Sequence, residues 1–127
     1  MAQEITYSAR LSVTKGNLQH AFNPSVLQID LANEAGVGGQ QVIGGTAEAL
    51  EMNADVAAFG MGYFRNLSTE ISIDISKATN TTTFDPLLRL LPGEYAIGRV
   101  ASTNIWAKAN TAGTNTSAVL QFQVFSP

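Results

Sequence analysis

Residues 60–100 read GMGYFRNLSTEISIDISKATNTTTFDPLLRLLPGEYAIGRV. Four extended segments follow one another there, at 61–67, 71–76, 84–91 and 94–100. In the second segment three isoleucines alternate with Ser72, Asp74 and Ser76, which is the period-two pattern of a strand with one dry and one solvated face. Pro92-Gly93 predicts a tight turn, because proline presets its first central position and glycine accepts a positive φ at the next. The stretch therefore predicts a β-meander, with Asp74 on the solvated face.

The composition indicates one domain with a sparsely charged surface. Apolar residues make up 45% of the 127 residues and charged residues only 13%, which is about half the usual share. A chain of this length buries about two-thirds of its unfolded surface, so we expect a single domain over residues 1–127. A neutral polar surface costs less to cover than a charged one, which favours proteins that assemble.

The same composition excludes several kinds of partner and site. The net charge of −3 argues against nucleic acid as a partner. The sequence contains no cysteine, so a disulfide framework and a thiolate metal site are both excluded. No apolar run approaches the length of a membrane-spanning helix, so no membrane partner is expected.

The first third of the chain predicts two strands separated by irregular structure. Residues 4–14 alternate, with Ile5, Tyr7, Leu11 and Val13 on one face. A turn is expected at 15–17. Residues 20–24 are predicted to be irregular, since Pro24 disfavours helix in the residue before it. A second strand is expected over residues 25–32, a glycine-rich loop over 33–39, and an extended run over 40–43.

The segment at 47–59 has two interpretations. Its alanines, Leu50 and Glu51 favour a helix by propensity. A strand at 47–52 followed by a turn at 53–55 is the preferred interpretation, with a one-turn helix at 55–59 as the alternative. Two further strands are predicted at 104–110 and 117–125, the last with Leu120, Phe122 and Val124 on one face.

These elements together predict an all-β fold. Eight to ten short antiparallel strands with regularly spaced turns indicate a two-sheet β-sandwich of jelly-roll type. The residues expected in its single core are Leu11, Leu27, Ile29, Ile71, Ile73, Ile75, Leu120 and Phe122.

No pattern in the sequence predicts catalysis. His20 is the only histidine, and no carboxylate is close to it in sequence, so a triad or a histidine metal site is not expected. The glycines at 36, 38 and 39 lack the Gly-Lys-Ser/Thr ending of a phosphate loop. We therefore expect no catalytic residue, no metal and no cofactor, and we interpret the protein as a non-enzyme.

A resemblance adds a more specific expectation. Gly62-Tyr63-Phe64-Arg65-Asn66-Leu67, Pro92-Gly93-Glu94 and Ala107-Lys108-Ala109-Asn110, with the spacing of Phe84, Leu87, Leu88 and Leu90, form one pattern. Over residues 46–125 the chain resembles small all-β structural proteins encoded among the virion genes of tailed bacteriophages. The resemblance implies a decoration or cement subunit of the capsid, located in the virion after assembly in the host cytoplasm. It implies contacts with the major capsid protein or other virion subunits, and a homo-oligomer for which a trimer is the first hypothesis.

Two alternatives remain open beside this expectation. One is a tail or fibre component of the same kind of particle. The other is a carbohydrate-binding β-sandwich, in which Trp106 or Tyr63 stacks against a sugar.

Contacts with other chains are expected in segments that can adapt to a partner. Chain ends and long glycine-rich loops are mobile unless a partner orders them, and outward-facing aromatic residues serve as anchors. The predicted interface residues are Ala2, Gln3, Glu4, Asn33, Gly36, Gly38, Gly39, Trp106 and Phe125.

Overall fold

The described part of the protein is entirely built from antiparallel strands and turns. The computed structural model describes residues 3–30, 36–51, 59–77, 80, 82–101, 104–111 and 117–125. These residues form no helix, and so none that could cross a membrane, and they confirm the predicted all-β class. Contacts divide the chain into two compact units, Met1–Ala32 and Asn33–Pro127. A single domain over residues 1–127 stays a prediction.

The first unit is a ribbon of short strands. Its strands are β1 (Ile5–Tyr7), β2 (Leu11–Lys15), β3 (Leu18–Phe22) and β4 (Leu27–Ile29). β1 pairs with β4, and β2 pairs with β3. The turn predicted at 15–17 is confirmed, with Gly16 at a φ of 55°. The irregular structure predicted for residues 20–24 is wrong over the first three, which belong to β3. Pro24 restricts only the residue before it, so the chain ahead of that residue is free to pair with β2.

The second unit is a sandwich of two four-stranded sheets. Its strands are β5 (Gly36–Gly44), β6 (Glu48–Ala49), β7 (Met61–Asn66), β8 (Ile73–Lys77), β9 (Leu88–Leu90), β10 (Tyr95–Arg99), β11 (Ile105–Ala109) and β12 (Ser117–Phe125). The first sheet has the order β10-β7-β12-β5 and the second the order β6-β11-β8-β9, and every pair in both is antiparallel. The described residues thus contain more strands than the eight to ten expected, and the predicted strands at 104–110 and 117–125 are confirmed.

The core lies between the two sheets of the second unit. Alternate residues of β12 meet those of β8 and β11 there, because side chains on a strand point to opposite faces in turn. The predicted core residues Ile71, Ile73, Ile75, Leu120 and Phe122 are confirmed as buried members of this core.

Three residues assigned to that core belong to the first unit instead. Leu11 is 67% exposed and Leu27 is 50% exposed, so their assignment to the core is wrong. Ile29 is half-buried, opposite Ile5 in the β1–β4 pair. Period-two alternation identifies the apolar face of a strand, but it does not say what covers that face.

The strands and turn of the predicted meander are present, and β8 pairs with β9 as a meander requires, but the other two pairings are wrong. β7 and β8 lie in different sheets, and so do β9 and β10. At the turn, Glu94 N–H donates to the carbonyl of Leu91 at 2.9 Å, and Gly93 has a φ of 83°. The carboxylate of Glu94 accepts a hydrogen bond from the N–H of Leu91 at 2.8 Å, so the same two residues are joined by a second hydrogen bond in the opposite direction. The turn carries the chain from one sheet to the other instead of closing a hairpin.

Asn66 joins the two sheets where the chain leaves β7. Its side chain is fully buried, and its amide donates to the carbonyls of Ile71 at 2.7 Å and Leu90 at 2.9 Å. Its side-chain oxygen accepts the N–H of Ser68 at 2.9 Å. Because Leu90 belongs to the second sheet, this one amide fixes the end of β7 against the neighbouring layer.

Asp74 is buried, which overturns the prediction that it is solvated. It is 2% exposed, and Arg89 on β9 lies directly opposite in the register. Arg89 donates from Nε to Oδ1 at 2.7 Å and from Nη2 to Oδ2 at 3.0 Å. The Arg89 hydrogen bond is the main cause that holds the pKa of Asp74 below its ordinary value, against the opposing effect of burial. The long side chain of Arg89 covers Asp74, although Asp74 points away from the core. The alternation of residues within β8 alone does not show that a neighbouring strand supplies this cover.

The glycine-rich segment is a strand. Residues 36–39, predicted as part of a loop, belong to β5, which pairs along its whole length with β12. A side chain at Gly38 would collide with the carbonyl of Phe122, so glycine permits the close pairing of the two backbones. The strand predicted at 47–52 is confirmed for the two residues of β6. Residues 52–58, with all of the turn predicted at 53–55 and most of the helical alternative at 55–59, lie outside the described residues, as do residues 33–35.

Candidate interaction surface

The two strand pairs of the first unit are nested, like one long hairpin with an interruption. Ile5 is opposite Ile29 at one end, and Leu11 is opposite Phe22 beyond the interruption. Between the pairs the outgoing strand has three residues and the returning strand four, residues 8–10 and 23–26. The returning segment contains Pro24, which donates no backbone hydrogen bond. This accounts for the gap in the ladder.

One face of the β2–β3 pair is apolar. The register places Leu11 opposite Phe22, Val13 opposite His20, and Lys15 opposite Leu18. We name the surface formed by Leu11, Val13, Leu18 and Phe22 the apolar ribbon face. The imidazole of His20 lies parallel to the ring of Phe22, with centroids 6.4 Å apart and an interplanar angle of 7°.

The opposite face of the same ribbon is polar. It presents Ser12 opposite Ala21 and Thr14 opposite Gln19. The ribbon is therefore amphipathic, with its apolar residues collected on one side, as in a strand that packs against another body. A strand pair solvated on both faces has no need of this separation.

The apolar ribbon face is uncovered. Every residue of β2 and β3 is exposed, and Phe22 retains 59% of its surface. A two-stranded hairpin alone is marginal in water, and burial of apolar surface stabilises by about 25 cal/mol per Å². Contiguous exposed apolar residues on a soluble protein mark interaction sites. The first unit thus has a surface that gains stability when another body covers it.

The residues predicted as an interface are distributed over several places. Gln3 and Glu4 precede β1 and are exposed, and the N–H of Gln3 donates to Oδ1 of Asp30 at 2.7 Å. Ala2 and Asn33 lie outside the described residues. Trp106 is half-buried on β11, and its Nε1 donates to Oδ1 of Asn104 at 2.8 Å.

The remaining predicted residues meet at the edge of the first sheet. Gly36 is opposite Phe125, and a side chain at Gly36 would lie 3.0 Å from the Phe125 ring. Gly38 and Gly39 follow on the same edge strand. The structure therefore brings the glycines and Phe125 together and places Trp106 in the other sheet. Their role in an interface stays a prediction.

Sequence reasoning did not identify the apolar ribbon face. It assigned Leu11 and Val13 to the dry face of a strand, and it left Leu18 and Phe22 without a role. The signal was present, because the alternation resumes after Gly16 as Leu18, His20 and Phe22. A turn between two alternating runs predicts a hairpin.

The described residues offer binding surfaces and no assembled chemical centre. They contain no group of three or more His, Cys, Asp or Glu side chains that could hold a metal ion. His20 lies against Phe22, and the carboxylate of Asp74 is occupied by Arg89. Comparison of the chain with protein-family models, with curated proteins and with solved structures finds no match.

Proposed function

We propose that the protein is a non-enzymatic virion structural protein of a tailed bacteriophage, and that it acts as a decoration or cement subunit of the capsid. It binds the major capsid protein or other virion subunits and stabilises the shell through contacts between subunits. The observation that carries the proposal is the uncovered apolar ribbon face. The resemblance of residues 46–125 to virion proteins supports the proposal independently, since the ribbon lies outside those residues.

The two units divide this work between them. The second unit has a continuous core between two sheets, and buried groups such as Asn66 fix its crossovers. The first unit has an exposed apolar face and little of its own to cover it. A two-stranded ribbon is marginally stable alone, so a contact that covers its apolar face stabilises the ribbon while it binds the subunit to the shell.

We further propose that the second unit is a jelly roll. This is supported by its eight strands in two four-stranded sheets and by the order in which the chain visits them. β5, β7, β10 and β12 fall in the first sheet, and β6, β8, β9 and β11 in the second, so the chain changes sheets at every step except from β8 to β9. In this topology, the outermost strands of the first sheet are β5 and β10.

The proposed assembly is a homo-oligomer located in the virion, with a trimer as the first hypothesis. A stable interface buries at least about 1,000 Å² in total. The four exposed side chains of the apolar ribbon face supply the apolar part of that area, with Lys15 on the same face. A tail or fibre component would use the same surface. The position at which the protein binds on the particle distinguishes a tail or fibre component from a capsid decoration subunit.

Cosedimentation with particles from the protein's own source tests the proposal. The double variant Leu11→Ser/Phe22→Ser should bind the particles at least about tenfold more weakly, a loss of about 1.4 kcal/mol. Binding of the unchanged protein should vary little between about 0.05 and 0.5 M salt, because apolar contacts are not screened. The matched control is Ser12→Ala/Gln19→Ala on the polar face of the same ribbon, which should bind normally.

Both substituted pairs are exposed, so neither should change the melting temperature of the sandwich. Equal binding by the Leu11→Ser/Phe22→Ser variant and its control would show that the ribbon is not the docking surface. A protein that neither self-associates nor binds its own particles would contradict the whole proposal.

A further inference from the structure

The outer face of the first sheet carries a group of side chains that the assembly proposal does not use. Alternate residues of the four strands point away from the core. One row across the sheet contains Tyr95, Arg65, Gln121 and Gln40, as the register of the strands requires. The next row contains Ile97, Tyr63, Gln123 and Gly38. Aromatic rings, amides and a guanidinium therefore lie side by side.

A shallow trough runs between these rows. It has a volume of about 220 Å³, and its lining residues are Gly39, Gln40, Tyr63, Gln121, Phe122 and Gln123. The side-chain amide of Gln123 lies over Gly36 and Gly38 on β5, where a Cβ on either glycine would crowd it. The two glycines therefore leave room for an amide that borders the trough.

The amides of the trough are free to bind. Among the described residues, Gln40, Gln121 and Gln123 form no side-chain hydrogen bond, whereas the neighbouring Gln41 is bonded to Ala49 and Glu51. Each amide can donate and accept at once. Three unpaired amides on one face therefore offer alternating donors and acceptors to a ligand with the same mixed character.

The aromatic part of the face is held in place. Tyr63 is half-buried and stacks with Tyr95, with ring centroids 6.3 Å apart and an interplanar angle of 28°. Tyr95 is 63% exposed, so the ring pair presents apolar surface to solvent next to the amides. A preformed ring costs little ordering entropy when a ligand stacks on it.

The charge on this face is opposite to that of the whole protein. Arg65 and Arg99 are exposed there, and neither forms an ion pair within the described residues. The outward positions of the four strands include no Asp or Glu, although the chain has a net charge of −3. An anionic group would find an unpaired guanidinium beside the trough, able to bind a carboxylate with two hydrogen bonds.

We infer that this face binds an oligosaccharide, with a preference for chains that contain acidic sugar units. A pyranose ring has an apolar face that stacks on an aromatic side chain, and a rim of hydroxyls that donate and accept as amides do. Tyr63 provides the stacking surface, Gln121 and Gln123 bind the hydroxyls, and Arg65 binds the carboxylate. The inference is independent of the proposed role in the virion, since it uses neither the ribbon nor Trp106.

Titration of the ¹⁵N-labelled protein with two oligosaccharides of equal length tests the inference. Hexagalacturonate is the acidic probe and maltohexaose the neutral one. We expect amide shifts in β7 and β12, with tighter binding of the acidic probe. Tyr63→Ala should weaken the binding of both at least tenfold, and Arg65→Ala should remove the preference for the acidic probe while leaving the binding of the neutral one.

Two further variants serve as controls for this titration. Gln121→Ala removes a side chain that has no hydrogen-bond partner in the described part of the chain, so it should fold normally and still weaken binding several-fold. Trp106→Phe changes the other sheet and should leave binding unchanged.

Three results would overturn the inference. The first is the absence of binding tighter than about 1 mM to either probe. The second is binding that Trp106→Phe abolishes and Tyr63→Ala does not. The third is broadening of β7 and β12 signals on raising the protein concentration without sugar, which would make this face a contact between copies.

Discussion

Replacement of Ile73 with alanine should lower the free energy of unfolding of the sandwich by about 2–5 kcal/mol. Ile73 is fully buried on β8, between Leu90 on β9 and Ala109 on β11. Removal of three carbons there leaves a cavity between two paired neighbours that cannot move without breaking the ladder. The loss of unfolding free energy should therefore be well above that caused by the same change at an exposed site. Urea unfolding followed by circular dichroism measures this loss.

Leu11→Ala is the matched control for this prediction. The same type of change at an exposed ribbon position should alter the unfolding free energy by less than about 0.5 kcal/mol. A loss of comparable size at the two positions would mean that the ribbon face is already covered within the subunit. A loss below about 1 kcal/mol at Ile73 would contradict the assignment of the core.

The second large effect is expected at Asp74. Asp74→Asn keeps the shape of the side chain but removes the charge that Arg89 binds through two hydrogen bonds. Charge-assisted hydrogen bonds contribute about 1.5–3 kcal/mol, so the variant should be less stable by about that amount at pH 7. Asp74 is 2% exposed, so most of the compensating solvation must come from the exposed Arg89 side of the pair.

This loss should depend on pH with a defined sign. The Arg89 hydrogen bond lowers the pKa of Asp74 in the folded protein from its ordinary value of 3.8. The stabilisation is therefore complete above pH 3.8 and is lost as the pH falls through the lowered pKa of the folded state. The difference between the unchanged protein and Asp74→Asn should shrink in acid, and a difference that grows there would contradict the account.

The strands of this protein were largely predictable from local sequence. The alternation around Ile73, the turn at Pro92-Gly93 and the long final strand are all encoded within a few residues, and all are present. The alternation of apolar and polar residues along β12 also predicted which of its faces is buried. Period-two patterning acts at this range, since it depends only on neighbours along the chain.

The pairing of strands was not predictable in the same way. β7 and β8 are neighbours in sequence but lie in different sheets, and Asn66 is bonded across that division. Contacts between residues far apart in the sequence decide which strands pair. The alternation of residues within one strand gives no information about those contacts. The burial of Asp74 has the same origin, because its cover comes from Arg89 on another strand.

Both candidate surfaces follow from elements that were misread. The apolar ribbon face arises because residues 18–22 are a strand, and the trough arises because the glycines of β5 pair with β12. Glycine predicts loops on average, yet a long partner strand can supply every hydrogen bond that such a segment needs. The aromatic and amide residues beside it were visible in the sequence, but their alignment depends on the pairing.

Hydrogen exchange of the β2 and β3 amides tests the central claim most directly, because it reports whether the apolar ribbon face is covered on assembly. The exchange is measured in the free protein and in the protein bound to particles from its own source. We predict that these amides exchange rapidly in the free subunit and at least tenfold more slowly on the particle, while the amides of β8 and β11 are protected in both states. Equally rapid exchange of β2 and β3 in the free and bound protein would contradict the account.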